Sequence, residues 1–165
     1  MNGLEQHGGS QWYIGTPNGI VLCIEQRRGS ELAGRFYHRY SAEPTAFSDL
    51  GQMTLLMEKL YDDLQFPFAG TNERRFSDSA TAPRMRQEKE ERMSDDQLLQ
   101  KHGDIGTFIV RVQHRQNSSW QGRITWMEED KTICFRSVWE MIKLIESAMD
   151  TVSTSEDGEE PTWEN

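Results

Sequence analysis

Apolar and polar residues alternate with period two over "IVLCIEQR" (20–27) and again over "FIVRVQHR" (108–115), each followed by a small polar bend and a second alternating run, "LAGRFYHRY" or "WQGRITWME". Such alternation predicts a half-buried hairpin in each place. A third, shorter run follows, "TAF" or "TICF", set off by the turn-like clusters "SAEP" and "EEDK". The period then changes to that of a helix. Leu50, Met53, Met57, Leu60 and Leu64 share one helical face, as do Val138, Met141, Ile142, Ile145 and Met149. Each helix is announced by the same spacing, Asp49 with Gln52 and Ser137 with Glu140, in which a side-chain oxygen takes an orphan backbone N–H of the first turn.

The two series coincide at an offset of 88, which aligns 20–62 with 108–150 without a gap. Nine of the 43 aligned positions are identical, among them Arg27 with Arg115, Gly34 with Gly122, Arg35 with Arg123, Phe47 with Phe135 and Asp62 with Asp150. Average composition would give about two or three. The expectation is therefore an α+β fold of internally duplicated β-β-β-α units, packed as one pseudo-symmetric domain with an antiparallel sheet and the helices on one face. Units this small bury too little surface to stand alone. The expected organisation is a single domain over 1–150, with repeats at 20–64 and 106–150 and a charged linker at 70–104. Within the linker, 70–83 reads as flexible and "MRQEKEERMSDDQLLQKH" as a short surface helix. The acidic stretch 151–165 reads as a disordered tail carrying one aromatic residue, Trp163.

Side-chain alternation assigns faces. Phe108, Val110, Val112, Ile124 and Trp126 are expected to meet the helices. Arg111, Gln113, Arg115, Arg123 and Thr125 then occupy the opposite, open face, with Cys23, Glu25, Arg27, Arg35, Tyr37 and Arg39 as their counterparts. A five-residue bend would set Gln113 across from Arg123 and Glu25 across from Arg35. On that reading Glu25 neutralises Arg35. Arg111, Arg115 and Arg123 have no acid among the outward positions of their own hairpin and are available to a partner or an anionic ligand. With Gln113, Asn117, Arg27 and Arg35 they make up the candidate binding residues.

Asn117–Gly122, "NSSWQG", resembles the Asn/Asp-x-Ser-x-x-Gly element of PilZ domains, and Arg111 with Arg115 supplies an Arg-x-x-x-Arg spacing. The resemblance implies a cyclic dinucleotide as ligand. It covers about a dozen residues, and the arginine pair stands one residue from the hexapeptide rather than the couple of dozen usual in that family.

Charge and composition limit the alternatives. With a net charge of -9, the chain has the wrong sign for a general nucleic-acid binder. Its two cysteines, Cys23 and Cys134, have no ligand-like neighbours, and both read as reduced, half-buried packing residues. The four histidines share no catalytic spacing, and His38 aligns with a core position. The N-terminus lacks the basic and apolar regions of a secretory signal, so a cytoplasmic location is expected. The chain thus reads as a small non-enzymatic interaction or adaptor protein, without cofactor or metal, that binds a protein partner or itself. The alternative is a sheet-face binder of an anionic ligand, either a nucleotide or single-stranded nucleic acid.

Overall fold

A computed structural model describes residues 14, 18–66, 76, 90–116 and 119–157. These form an α+β fold with one six-stranded antiparallel sheet and three helices. In chain order the elements are β1 (Ile20–Arg28), β2 (Glu31–His38), β3 (Thr45–Phe47), α1 (Leu50–Leu64), α2 (Asp95–Leu99), β4 (Gly106–Gln116), β5 (Ser119–Trp126), a short 3-10 turn (Met127–Glu129), β6 (Lys131–Phe135) and α3 (Val138–Asp157). The sheet order is β3-β2-β1-β4-β5-β6. The central seam is the antiparallel pairing of Ile20–Ile24 with Val110–Gly106.

Both hairpins are built alike. Gly34 stands opposite Ile24 and Phe47, and Gly122 opposite Val112 and Phe135. A side chain at either glycine would collide with backbone, because an added Cβ would lie 2.0 Å from the carbonyl oxygen of Cys23 or of Arg111. Just beyond each glycine the register slips, between Ile24 and Gln26 and between Val112 and His114, so each hairpin carries a bulge at the same step. Arg28 then pairs with Glu31 around Gly29, whose φ of 62° suits a glycine in a tight turn.

Asp49 Oδ1 accepts from Gln52 N at 2.7 Å, and Ser137 Oγ accepts from Glu140 N at 3.0 Å, so both expected helix caps are present. A third cap of this kind was not anticipated: Ser94 and Gln97 form a reciprocal capping box at the start of α2. The two long helices lay their apolar faces on the same side of the sheet. Met53, Met57, Tyr61, Met141, Ile145 and Met149 form one contiguous core with Ile20, Leu22, Ile24, Phe36, Phe108, Val110 and Val112.

The expectation of helices on one face holds for α1 and α3 but not for α2. Val21, Cys23, Tyr37 and Ile109 point to the opposite face, where Ile14, Met93, Leu98 and Met127 cover them in a second core. Asp95, Asp96 and Gln97 are exposed while Leu98 is fully buried, so α2 is a surface helix anchored through one side chain. The segment is tied to the sheet at both ends. Arg39 O accepts from Arg92 N and Met93 N, and the Arg39 side chain pairs with Asp95 at 3.0 Å and Glu91 at 3.6 Å. At the other end, Ile105 N donates to Ile24 O and Asp104 N to Glu25 Oε2, each at 3.0 Å.

The helix α3 continues to Asp157, so the first seven residues of the expected disordered tail are helical. Val152 extends its apolar face onto the core. The rest of that tail, with Trp163, and the proposed flexible stretch 70–83, apart from Phe76, lie outside the described residues. Among the described residues no helix is long and apolar enough to cross a membrane.

Candidate functional site

The seven candidate residues do not form one surface. Because each bulge adds a residue to its strand, the side chains beyond it change face. Arg27 pairs in register with Leu32, and Arg115 with Trp120, both of which belong to the helix-side core. Arg27 and Arg115 therefore lie on the helix face, not on the open one. There Arg27 Nη2 meets Asp150 Oδ1 of α3 at 2.5 Å, and Arg115 Nη1 meets Asp62 Oδ1 of α1 at 2.8 Å. The two bonds are reciprocal: the first hairpin holds the second long helix, and the second hairpin holds the first.

Their surroundings differ. Arg115 is 6% exposed and its guanidinium lies over the Tyr61 ring, 5.6 Å from the centroid, while that ring meets Trp120 edge-on at 5.4 Å. Burial pushes the Tyr61 hydroxyl well above its ordinary pKa, with the Arg115 charge acting in the opposite sense. The Arg27 pair is more open to solvent, its side chains 32% and 63% exposed.

The open face keeps Arg35, Arg111 and Arg123. Arg35 Nε pairs with Glu25 Oε1 at 3.2 Å, the expected partner, although in register Arg35 stands opposite Cys23. Arg111 stands directly opposite Arg123, where Gln113 had been expected. The physical reason is the bulge together with a shorter bend. Gln113 is the inserted residue and is exposed, and Asn117 lies outside the described residues. Arg111 and Arg115 fall on opposite faces of the sheet, so the Arg-x-x-x-Arg spacing does not converge on one ligand.

Tyr37, expected on the open face, is 7% exposed, with the Arg35 guanidinium 5.7 Å and the Lys101 ammonium 5.0 Å from its ring centroid. It has no face left for a base to stack on. Cys23 is buried beneath the same cover. Burial, reinforced by Glu25, pushes its thiol up to about 12, which leaves it unreactive. Cys134 is exposed, opposite Arg123 on β6. His38 is buried, and its Nδ1 accepts from Tyr40 N at 3.2 Å. Among the described residues no group of three His, Cys, Asp or Glu side chains is placed to hold a metal ion.

Sequence reasoning missed the far end of the sheet. The outer edge of β6 has no partner strand among the described residues, and Lys131, Thr132, Ile133 and Cys134 are all exposed. Ile133 is 49% exposed, and Trp139, in the first turn of α3, is 67% exposed beneath the Lys143 ammonium. The signal was available: Ile133 and Trp139 align at offset 88 with Thr45 and Gly51, small or polar residues in the first half.

No family model, curated protein or solved structure matches this chain.

Proposed function

We propose that the chain is a non-enzymatic protein-interaction module, cytoplasmic, that docks through the β5–β6 end of its sheet. The observation that carries this reading is the β6 edge, unpaired among the described residues, with Ile133 exposed in it and Trp139 exposed on the helix that follows. An open edge offers a row of backbone donors and acceptors to an incoming strand. A large aromatic nearby supplies the kind of side chain that anchors protein interfaces.

The proposal includes a duplicated architecture. Matching bulges, matching glycines opposite Phe47 and Phe135, and the exchanged Arg–Asp pairs all recur 88 positions apart and support two equivalent β-β-β-α units. On this view the second unit has diverged at its edge, gaining apolar residues where the first has none.

One observation favours a second reading, a site for an anionic ligand on the open face. Arg111 and Arg123 are directly opposite in the β4–β5 register. Two guanidinium groups so placed can both donate to one anion.

Affinity capture from native lysate separates the two. With Ile133→Lys and Trp139→Ala combined, interaction through the edge predicts at least a tenfold loss of captured protein, equivalent to about 1.4 kcal/mol or more. With Arg111→Gln and Arg123→Gln combined, it predicts no change. The opposite pattern would favour the anion site and reject the edge.

A further inference from the structure

The β6 edge is complementary to itself, and from this we propose that its occupant is a second copy of this chain, joined β6 to β6 in antiparallel fashion about a two-fold axis through Ile133. The inference rests on the reading of that edge as a docking surface and names the partner.

A two-fold axis at Ile133 fixes every pair. Ile133 meets itself, Thr132 meets Cys134 of the second copy, and Lys131 meets Phe135. Just beyond the strand ends, Asp130, which turns in the left-handed region (φ 51°) and already has a contact within its own chain, comes near Arg136 of the second copy. The strand is flanked by acids on its N-terminal side, Glu128, Glu129 and Asp130, and by Arg136 on its C-terminal side. Antiparallel pairing therefore sets acid against base at both ends, whereas parallel pairing would set like against like. The Arg136 side chain is 85% exposed, and its ion pair with Glu140, at 3.7 Å, is long enough to yield to a shorter contact.

The two edges of the sheet are treated differently. The β3 edge is three residues long and follows Pro44, two of the usual devices that discourage pairing. The β6 edge is five residues long and contains no proline, and its one lysine stands at the strand end. Ile133, at its centre, is a β-branched residue that a cross-strand copy of itself would cover. The net charge of -9 per chain opposes association at long range. The contact is thus carried by backbone hydrogen bonds, the isoleucine pair and the two local charge pairs. An isologous two-fold interface closes on itself and uses up the β6 edge of both copies, leaving only the short β3 edges.

The test is sedimentation of the full chain over roughly 1 to 100 µM, a range that brackets ordinary transient dimers, with circular dichroism confirming that each variant is folded. The wild type is expected to shift from monomer to dimer across the range. Ile133→Lys should leave it monomeric, and Arg136→Glu, which puts an acid near Asp130, should weaken the dimer at least about tenfold. Arg28→Glu, on the distant hairpin, should have no effect. Ile133→Cys in a Cys134→Ser background should give a covalent dimer on mild oxidation. A wild type that stays monomeric throughout, or a dimer indifferent to both Ile133→Lys and Arg136→Glu, overturns the inference. If the chain is monomeric while edge substitutions still abolish capture from lysate, the docking surface stands and a different protein occupies it. If it is monomeric and capture is also unchanged, both readings fall.

Discussion

Arg115 and Arg27 occupy matching places on two hairpins yet stand in different surroundings. Arg115 is buried against Tyr61 and pairs with Asp62, so truncation to Ala removes a charge-assisted hydrogen bond and the packing of its stem on an aromatic ring. The expected loss is about 2–3 kcal/mol by urea denaturation. Arg27 and Asp150 are more exposed, and Arg27→Ala should cost no more than about 1 kcal/mol. Equal costs at the two sites would mean that burial is not what distinguishes them. Glu128 gives a second test at this scale. Glu128 is exposed overall, but its carboxylate is partly withdrawn from solvent where it accepts from the backbone N–H of Thr107, and this desolvation outweighs that bond and raises its pKa above the ordinary value of 4.5. The folded chain therefore holds this proton to higher pH than the unfolded chain does. The contribution to stability is present below the ordinary value and falls as pH rises through the shifted one. Glu128→Gln keeps an oxygen for Thr107 and removes the titration, so stability against pH should become flatter just above pH 4.5. An unchanged slope would show that the Glu128 pKa is not raised in the folded chain.

Among the elements, the hairpins decide both what was legible in the sequence and what was not. Period-two runs, capping residues and the helical faces were readable because each rests on local chemistry. The faces of Arg27 and Arg115 were misread because strict alternation was carried through a bulge. Gly34 and Gly122 carried the missing information: a lone glycine inside a strand pattern marks a bulge or a close backbone approach, and here it marks both. The buried outer face was legible too. "IVLCI" is continuously apolar, as expected of a strand covered on both sides, and reading it as alternating left Val21 and Cys23 without the cover that α2 provides. The lack of a partner for the β6 edge among the described residues was not legible, since a pairing count is a property of the whole sheet. The glycines also make a prediction at this scale. Gly34→Ala and Gly122→Ala each drive a Cβ into a carbonyl oxygen that belongs to the paired strand and cannot swing away. Each should cost about 2 kcal/mol or more, in the range of overpacked sites. Phe47→Ala and Phe135→Ala, each emptying a buried site opposite one of these glycines, should cost about 3–5 kcal/mol. A loss below about 1 kcal/mol at both phenylalanines would mean that these sites are not part of the core.

For the whole molecule the decisive feature is that no half owns its core. The contiguous helix-side cluster draws on α1 and α3 and on both hairpins, β1 and β4 form the central seam, and the two Arg–Asp pairs each cross from one half to the other. A chain with two independent cores would lose them separately, each at its own temperature. With one shared core, exposing either half strips apolar cover from the other, so unfolding should be a single cooperative transition. Calorimetry is expected to give one peak whose calorimetric and van't Hoff enthalpies agree, the criterion of two-state behaviour. The stronger form of the test uses substitutions in opposite halves. Met57→Ala, on α1, and Ile145→Ala, on α3, each open a cavity at a fully buried site and should lower the same single transition. Two resolved peaks, with each substitution moving only one of them, would show that the halves fold alone despite the seam, and the crossed ion pairs would then be surface contacts between neighbours rather than parts of one core.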